Sequence, residues 1–254
     1  PIEWDDPSKT SYRLTLKEGQ NKLVITVDDG EGNVMSETRY IEYIPAAIGQ
    51  IVGHYVFSMD AFVAGLGYLV EPTQMPIVNG DNAAHHVKRA LEQHNFEFNY
   101  TGDINEDFYL GRMYGGNLAE KKFEDFPEEI NALSDEGLLS LSPDFDPDNG
   151  LGEMDFSPYS GWMYAVNNSF PNVGFSDYFL IDGDVMRIQF TLNMGLDISG
   201  GEDGYGGAGF FEPVTKDALT TAVANVNSDP NKETLLEDTT LKAAYDNAHE
   251  KLYD

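Results

Sequence analysis

Four aspartates in the middle of the chain are spaced like the ligands of a calcium-binding loop. Asp144, Asp146 and Asp148 alternate, and Asp155 stands where the closing ligand of an EF-hand loop would be. Carboxylate oxygens are the ligands that Ca²⁺ prefers in proteins. Gly150 comes one place later than the EF-hand glycine, so a solvated acidic turn is the alternative. The spacing therefore predicts either a calcium site or a surface turn.

A second group of residues has the types expected of a ligand-contact surface. Trp162 and Tyr164 are two residues apart in an apolar run, so on a β-strand both rings point to the same face. Asn167 and Asn172 follow in a polar connection, and loops between rigid strands often carry recognition. Strands also favour aromatic residues for packing. The pattern favours core packing of the two rings, with ligand contact as the alternative.

The sequence lacks the common catalytic motifs, which favours a non-enzymatic protein without catalytic residues. There is no Gly-x-Ser-x-Gly elbow of a serine hydrolase and no His-Glu-x-x-His zinc motif. Acid pairs such as Asp60 and Glu71 are candidate glycosidase carboxylates, although a chain with 44 acids contains many such pairs. Residues 204–209 match a dinucleotide-binding glycine pattern, but acidic loop residues precede them, so a loop is predicted. A glycan hydrolase that uses two carboxylates is the alternative to a non-enzymatic protein.

Composition and charge restrict the partners and the location. The chain has 254 residues with 44 acids, 15 bases and a net charge of −29, which disfavours binding to nucleic acid. It contains no cysteine, so disulfides and thiolate metal sites are excluded. No apolar run reaches the roughly 18 residues of a membrane span, so direct membrane insertion is not expected. We expect an extracellular location, on the cell surface or in the cell wall.

Residues 1–45 form a first β-rich segment. Alternating residues predict strands near 12–16, 23–27 and 38–44, with a polar hairpin loop at 28–33. The patterns Leu-x-x-Gly-x-Asn at 16–21 and Asp-x-x-Gly-Asn at 29–33 resemble the last strands of immunoglobulin-like or cadherin-like domains of bacterial surface proteins. The resemblance covers about half of such a domain, and it implies part of a β-sandwich from a longer polypeptide.

Residues 46–210 carry a more specific resemblance. The stretches Ser-Gly-Trp-Met-Tyr-Ala-Val-Asn at 160–167, Pro-Asn-Val-Gly at 171–174 and Asp-Gly-Asp-Val at 182–185 resemble a bacterial domain of unknown function. That domain is similar to the C-terminal β-domain of transcobalamin and intrinsic factor. The resemblance implies a small α+β fold in which one helix packs on a mixed sheet. It also implies a corrinoid-binding module, which would need a helical partner domain.

The helices predicted from the sequence surround these strands. Residues 82–94 have one apolar stripe behind an Asp81 or Asn82 N-cap, and a shorter helix is predicted over residues 127–133. Strands are expected at 161–166, 178–181 and 184–192. In residues 211–254 two helices are predicted, which either pack back on the preceding domain or begin a further one.

Together these observations predict a non-enzymatic extracellular module of a multidomain bacterial surface protein. Its function is expected to be ligand binding, adhesion or spacing, and its partner a glycan, a protein or a small molecule. Calcium is a possible cofactor, and no other cofactor is expected.

Overall fold

The computed structural model describes residues 2–4, 12–199 and 209–253. The predicted glycine-rich loop therefore lies, apart from Gly209, outside the described residues. The chain divides into two compact units, Pro1–Ile48 and Gly49–Asp254.

The first unit consists of two antiparallel strand pairs. Strand β1 pairs with β2, and β3 pairs with β4 over its whole length. The bounds of these strands are β1 (Ile2–Trp4), β2 (Tyr12–Leu14), β3 (Gly19–Asp28) and β4 (Val34–Tyr43). In the turn of the β3–β4 hairpin, the Asn33 side chain donates a 2.6 Å hydrogen bond to Asp29. This bond, with two backbone N–H donors, lowers the pKa of the exposed Asp29 carboxyl.

The second unit contains a four-stranded mixed sheet, a three-stranded sheet and five helices among its described residues. Its elements are β5 (Ile51–Ala61), β6 (Gly67–Val78), α1 (Ala83–Gln93), β7 (Phe96–Thr101), β8 (Tyr109–Gly115), α2 (Glu128–Asp135), β9 (Leu151–Gly152), β10 (Gly161–Val166), β11 (Val185–Thr191), α3 (Asp217–Asn227), α4 (Lys232–Leu235) and α5 (Thr239–Tyr253). The larger sheet has the order β10-β11-β5-β6, and the smaller has the order β7-β8-β9. Strands β11 and β5 are parallel, whereas the other neighbours are antiparallel. The predicted α+β class is confirmed.

One face of the larger sheet forms the main core with helix α1. Phe57, Met59, Ile188 and Phe190 alternate along the two central strands and are fully buried. Helix α1 begins where the sequence predicts, because the side chain of Asn82 accepts a hydrogen bond from the backbone N–H of His85.

The opposite face of the same sheet, called here the second face, is also covered. Val56 and Val185 pack against Ala224 of α3. On the neighbouring strand, Tyr68 packs against Val223 of α3 and Leu252 of α5. Of the two arrangements that the sequence left open for the C-terminal helices, the structure has them packed on this face.

One expected strand is replaced by a loop. Residues 178–181 are not in a strand, although Leu180 is buried between the exposed side chains of Phe179 and Ile181. The Asp184 carboxylate accepts a hydrogen bond from the backbone N–H of Ile181 at 2.9 Å. This local bond closes a turn before β11, so the alternating pattern does not produce a ladder here.

The described helices were also compared with the length and hydropathy of a membrane span. None of them is long and apolar enough to cross a bilayer.

We predict that Phe190→Ala lowers the free energy of unfolding by about 3–5 kcal/mol, because a large ring is removed from a fully buried position. The matched control is Phe179→Ala, since Phe179 is 62% exposed and should change stability by less than about 0.5 kcal/mol. Urea unfolding of the three proteins measures both values. Equal losses in the two variants would contradict the assignment of the core.

Candidate functional site

Trp162 lies on the core face of β10. The residue is 8% exposed, and its indole Nε1 donates a 3.1 Å hydrogen bond to the backbone oxygen of Leu151. The ring packs edge-to-face on Phe190, with the centroids 5.1 Å apart. Its hydrogen-bonding group and most of its surface are therefore used within the protein.

Tyr164 occupies the same face and is used in a similar way. Its ring stacks on Phe175 with the centroids 4.3 Å apart, and its hydroxyl donates a 2.7 Å hydrogen bond to the backbone oxygen of Val173. Burial raises the pKa of this hydroxyl above its usual value. The two rings share one face, as their spacing predicts, and that face is the core.

The two asparagines have different environments. Asn167 adopts a left-handed backbone conformation with φ 52° and joins the end of β10 to the start of β11. Its side chain donates to the Asp184 carboxylate at 2.8 Å and accepts from the backbone N–H of Val185 at 3.0 Å. Asn172 is exposed in the following loop. Of the four residues predicted to contact a ligand, the two asparagines are therefore the exposed ones, whereas Trp162 and Tyr164 are buried.

Three of the four predicted calcium ligands, Asp144, Asp146 and Asp155, line one pocket, where each carboxylate already accepts a hydrogen bond from the protein. Asp155 forms an ion pair with Arg112 through both carboxylate oxygens, and it also accepts from the backbone N–H of Gly152. Asp146 caps a short 3-10 helix by accepting from the backbone N–H of Asp148. Among the described residues no group of three or more His, Asp or Glu side chains is arranged to hold a metal ion. The loop is better described as an acidic turn with its own side-chain hydrogen bonds.

A different site lies on the second face of the larger sheet. It is a cavity of about 200 Å³ between the sheet, helices α3 and α5, and the segments before α3. Among the residues that line it, these have polar or charged side chains: Asp60, Asn168, Arg187, Gln189, Ser199, Lys216 and Thr220. Three aromatic rings complete much of the apolar lining: Phe62, Tyr68 and Phe170. A concave site with a few convergent polar groups is the usual form of a ligand-binding pocket.

The strand register explains why these side chains meet. Asp60 of β5 is the direct partner of Gln189 of β11 in the parallel pair, and Gln189 in turn is opposite Met163 of β10. Arg187 lies two residues before Gln189 and therefore points to the same face. On the other side, Asp60 is paired with Tyr68 of β6. Three strands thus place polar side chains on one patch of a face that is otherwise apolar.

Asp60 is the most unusual residue of the cavity. It is 5% exposed, and burial raises the pKa of its carboxyl to about 7. A hydrogen bond from the backbone N–H of Phe62 and the charge of Arg187 act in the opposite direction but do not cancel the effect of burial. A carboxyl with a raised pKa inside a cavity is a recognised marker of a functional site.

Arg187 supplies the cationic group beside it. Its Nη2 donates to the Thr220 hydroxyl at 3.0 Å and forms a 2.6 Å ion pair with Asp217. Its Nη1 is buried and has no hydrogen-bond partner among the described residues. A buried donor without a partner is costly to the folded state.

Sequence reasoning missed this site, although the sequence contains a signal for the site. Ser58 and Asp60 interrupt an otherwise apolar strand, and Arg187 and Gln189 alternate with Met186, Ile188 and Phe190 in a second strand. An apolar strand with polar residues on one face is usually interpreted as half exposed. Here the polar residues are half-buried or fully buried, because C-terminal helices cover that face.

Comparison with known families gives one similarity. Residues 149–193 match a family described as a domain of unknown function (DUF4430). The match includes β10 and β11, with Trp162, Tyr164, Arg187 and Gln189, but it covers a minority of the chain. No curated protein matches the chain. The prediction that this part resembles a domain of unknown function is thereby confirmed.

The acidic loop provides a direct test of the calcium hypothesis. We predict that thermal melts in millimolar Ca²⁺ and in chelator have the same midpoint, because Asp155 is already paired with Arg112. A bound ion would raise the midpoint by mass action, and the shift would be several degrees at saturation. Asp148→Asn removes one of the predicted ligands, so it separates binding at this loop from a nonspecific effect of Ca²⁺. A shift that disappears in this variant would restore the calcium site.

The raised pKa of Asp60 predicts a specific dependence of stability on pH. The folded protein keeps a proton on Asp60 up to about pH 7, whereas the unfolded chain releases it near the ordinary value of 3.8. Since the folded state binds more protons, the contribution of Asp60 to stability is complete below that value and falls as the pH rises towards 7. Asp60→Asn removes this dependence.

Between pH 3.8 and about pH 7, we expect the free energy of unfolding of Asp60→Asn to rise relative to that of the parent. The expected rise is on the order of 4 kcal/mol, because one pKa unit corresponds to about 1.4 kcal/mol. Urea unfolding at a series of pH values measures the difference. Asp148→Asn, which changes an exposed acid in the same way, should follow the parent curve. Parallel curves for the parent and Asp60→Asn would contradict the burial of an ionisable group.

Proposed function

We propose that this protein is a non-enzymatic, extracellular module of a multidomain bacterial surface protein, and that it binds a small polar ligand in the cavity on the second face. The observation that carries the proposal is the Asp60–Arg187 pair of side chains. A buried carboxyl and a half-buried guanidinium line a cavity that is large enough to admit a small molecule. Polar side chains that converge on a concave site are the usual means of holding a ligand.

The sequence supports the location and the context of this module. Its net charge of −29, the lack of cysteine and the patterns in residues 16–33 that resemble bacterial surface domains all suit an exported, highly soluble protein. The resemblance of residues 160–185 to the β-domain of vitamin carriers is a further reason to propose ligand binding. The cavity is smaller than the roughly 300–1,000 Å³ of pockets for drug-sized ligands, so it would not enclose a corrinoid.

The hydrolase alternative has less support. A mechanism with paired carboxylates needs two acids about 5 to 10 Å apart across the scissile bond. Of the described residues that line the cavity, Asp60 is the single carboxylate, and Glu71 lines a different pocket. One carboxyl with a raised pKa is compatible with ligand binding.

The proposal predicts that filling the cavity abolishes binding. Ala165 is 2% exposed and lines the cavity from the edge strand β10, so Ala165→Leu should occupy part of its volume. The matched control is Ala132→Leu on the exposed side of α2. The purified proteins are screened by thermal melting against sugars, amino acids, organic acids, cobinamide and cobalamin. A ligand at a hundred times its Kd should stabilise the parent by about 2.7 kcal/mol, which corresponds to several degrees.

We expect at least one compound class to raise the midpoint of the parent and of Ala132→Leu but not of Ala165→Leu. The compound should be recovered unchanged after incubation with the protein. If no class shifts the parent, or if Ala165→Leu responds like the parent, the cavity is not the binding site. Conversion of the compound would overturn the non-enzymatic assignment.

A further inference from the structure

We infer that the ligand of this cavity is a single neutral sugar residue or a similar cyclic polyol, held through neighbouring hydroxyl groups between Asp60, Gln189 and Arg187. This inference rests on the proposed function and specifies its ligand class.

The first argument is the charge of the site. The described cations at the cavity are Arg187 and Lys216, and the described anions are Asp60 and the Asp217 that pairs with Arg187. Lys216 directs its ammonium group to the backbone oxygen of Lys251, at 3.0 Å. The formal charges balance when Asp60 is ionised. An anionic ligand would meet the Asp60 carboxylate and a cationic one the guanidinium, so a ligand without charge suits the site best.

The second argument is the mixture of donors and acceptors. Arg187 lines the cavity with a guanidinium, which can only donate, and the ionised Asp60 carboxylate can only accept. Gln189 and Asn168 also line the cavity, and each carries both a donor and an acceptor. A hydroxyl group donates one hydrogen bond and accepts others, so one hydroxyl can bridge the carboxylate and the guanidinium. A ring with several hydroxyls can therefore form hydrogen bonds to several of these side chains at once.

The third argument is the spacing of these groups. Asp60 and Gln189 are direct partners on adjacent parallel strands, which lie about 4.8 Å apart. Arg187 is on the same face two residues along β11. This triangle has the dimensions of one small ring and not of a long chain. The volume of about 200 Å³ agrees with a ligand of that size.

The fourth argument is the apolar part of the lining. Phe62 and Tyr68 pack edge-to-face with their centroids 4.8 Å apart, and Phe170 lies at the cavity from the loop after β10. A sugar ring has C–H groups beside its hydroxyls, and these groups pack on aromatic surfaces. An amino acid or a small organic acid of the same volume has no comparable combination of an apolar face and a hydroxylated edge.

The test uses free monosaccharides as probes. Glucose, galactose, mannose and N-acetylglucosamine are compared with glucuronate, glucosamine, glycine and succinate, by titration calorimetry and by saturation-transfer NMR. We expect at least one neutral sugar to bind the parent and to bind more tightly than its charged analogues. Gln189→Leu should weaken that sugar about tenfold, because one hydrogen-bonding side chain is removed without a large change in volume. Gln93→Leu, at an exposed position of α1, is the matched control and should leave the affinity unchanged.

The outcomes separate the ligand class from the proposed function. Binding of an amino acid or an organic acid that Ala165→Leu abolishes, without binding of any neutral sugar, would overturn the sugar assignment and leave a ligand-binding cavity. Tighter binding of glucuronate than of glucose would overturn the inference that the ligand is neutral. Sugar binding that is unaffected by both Gln189→Leu and Ala165→Leu would place the sugar elsewhere on the protein and also overturn the inference. Absence of binding by every compound in both panels would overturn the inference and the proposed function together.

Discussion

The central constraint on this structure is that strands β5 and β11 are buried on both faces. They are parallel neighbours in the middle of the larger sheet, and parallel pairs need cover on each side. Helix α1 and the smaller sheet provide the main core on one face, and the C-terminal helices cover the other. A polar side chain on the second face is therefore costly unless it is hydrogen-bonded.

This constraint gives Asp60 and Arg187 their properties. Burying a carboxyl is costly, and the protein compensates here with only one backbone N–H and a nearby guanidinium. A hydrophobic residue at position 60 would pack on the second face without that cost. A binding function gives a physical reason for retaining the two groups, because both line the cavity in which a ligand would bond to them.

The Trp162 strand shows how a distinctive motif can be structural. Its aromatic residues are recognisable in the sequence, and the family match includes them. In the structure the indole and the phenol use their polar atoms on backbone oxygens of Leu151 and Val173, so one side chain fixes strand β9 and the other fixes the loop after β10. On the opposite side of the same strand, Ala165 lines the cavity. The motif therefore supports the candidate site without contributing its conspicuous side chains to it.

Local patterns in the sequence were sufficient to predict the α+β class, the start of helix α1 at Asn82 and the β3–β4 hairpin around Asp29. Each depends on residues that are close along the chain, through a cap, a turn or an alternation. The tertiary structure alone decided which side of β10 faces the main core and that Asp155 pairs with Arg112. It also brought together Asp60 and Gln189, which are far apart in sequence. Such contacts depend on strand order and on the packing of distant helices, and no local period in the sequence encodes either of these.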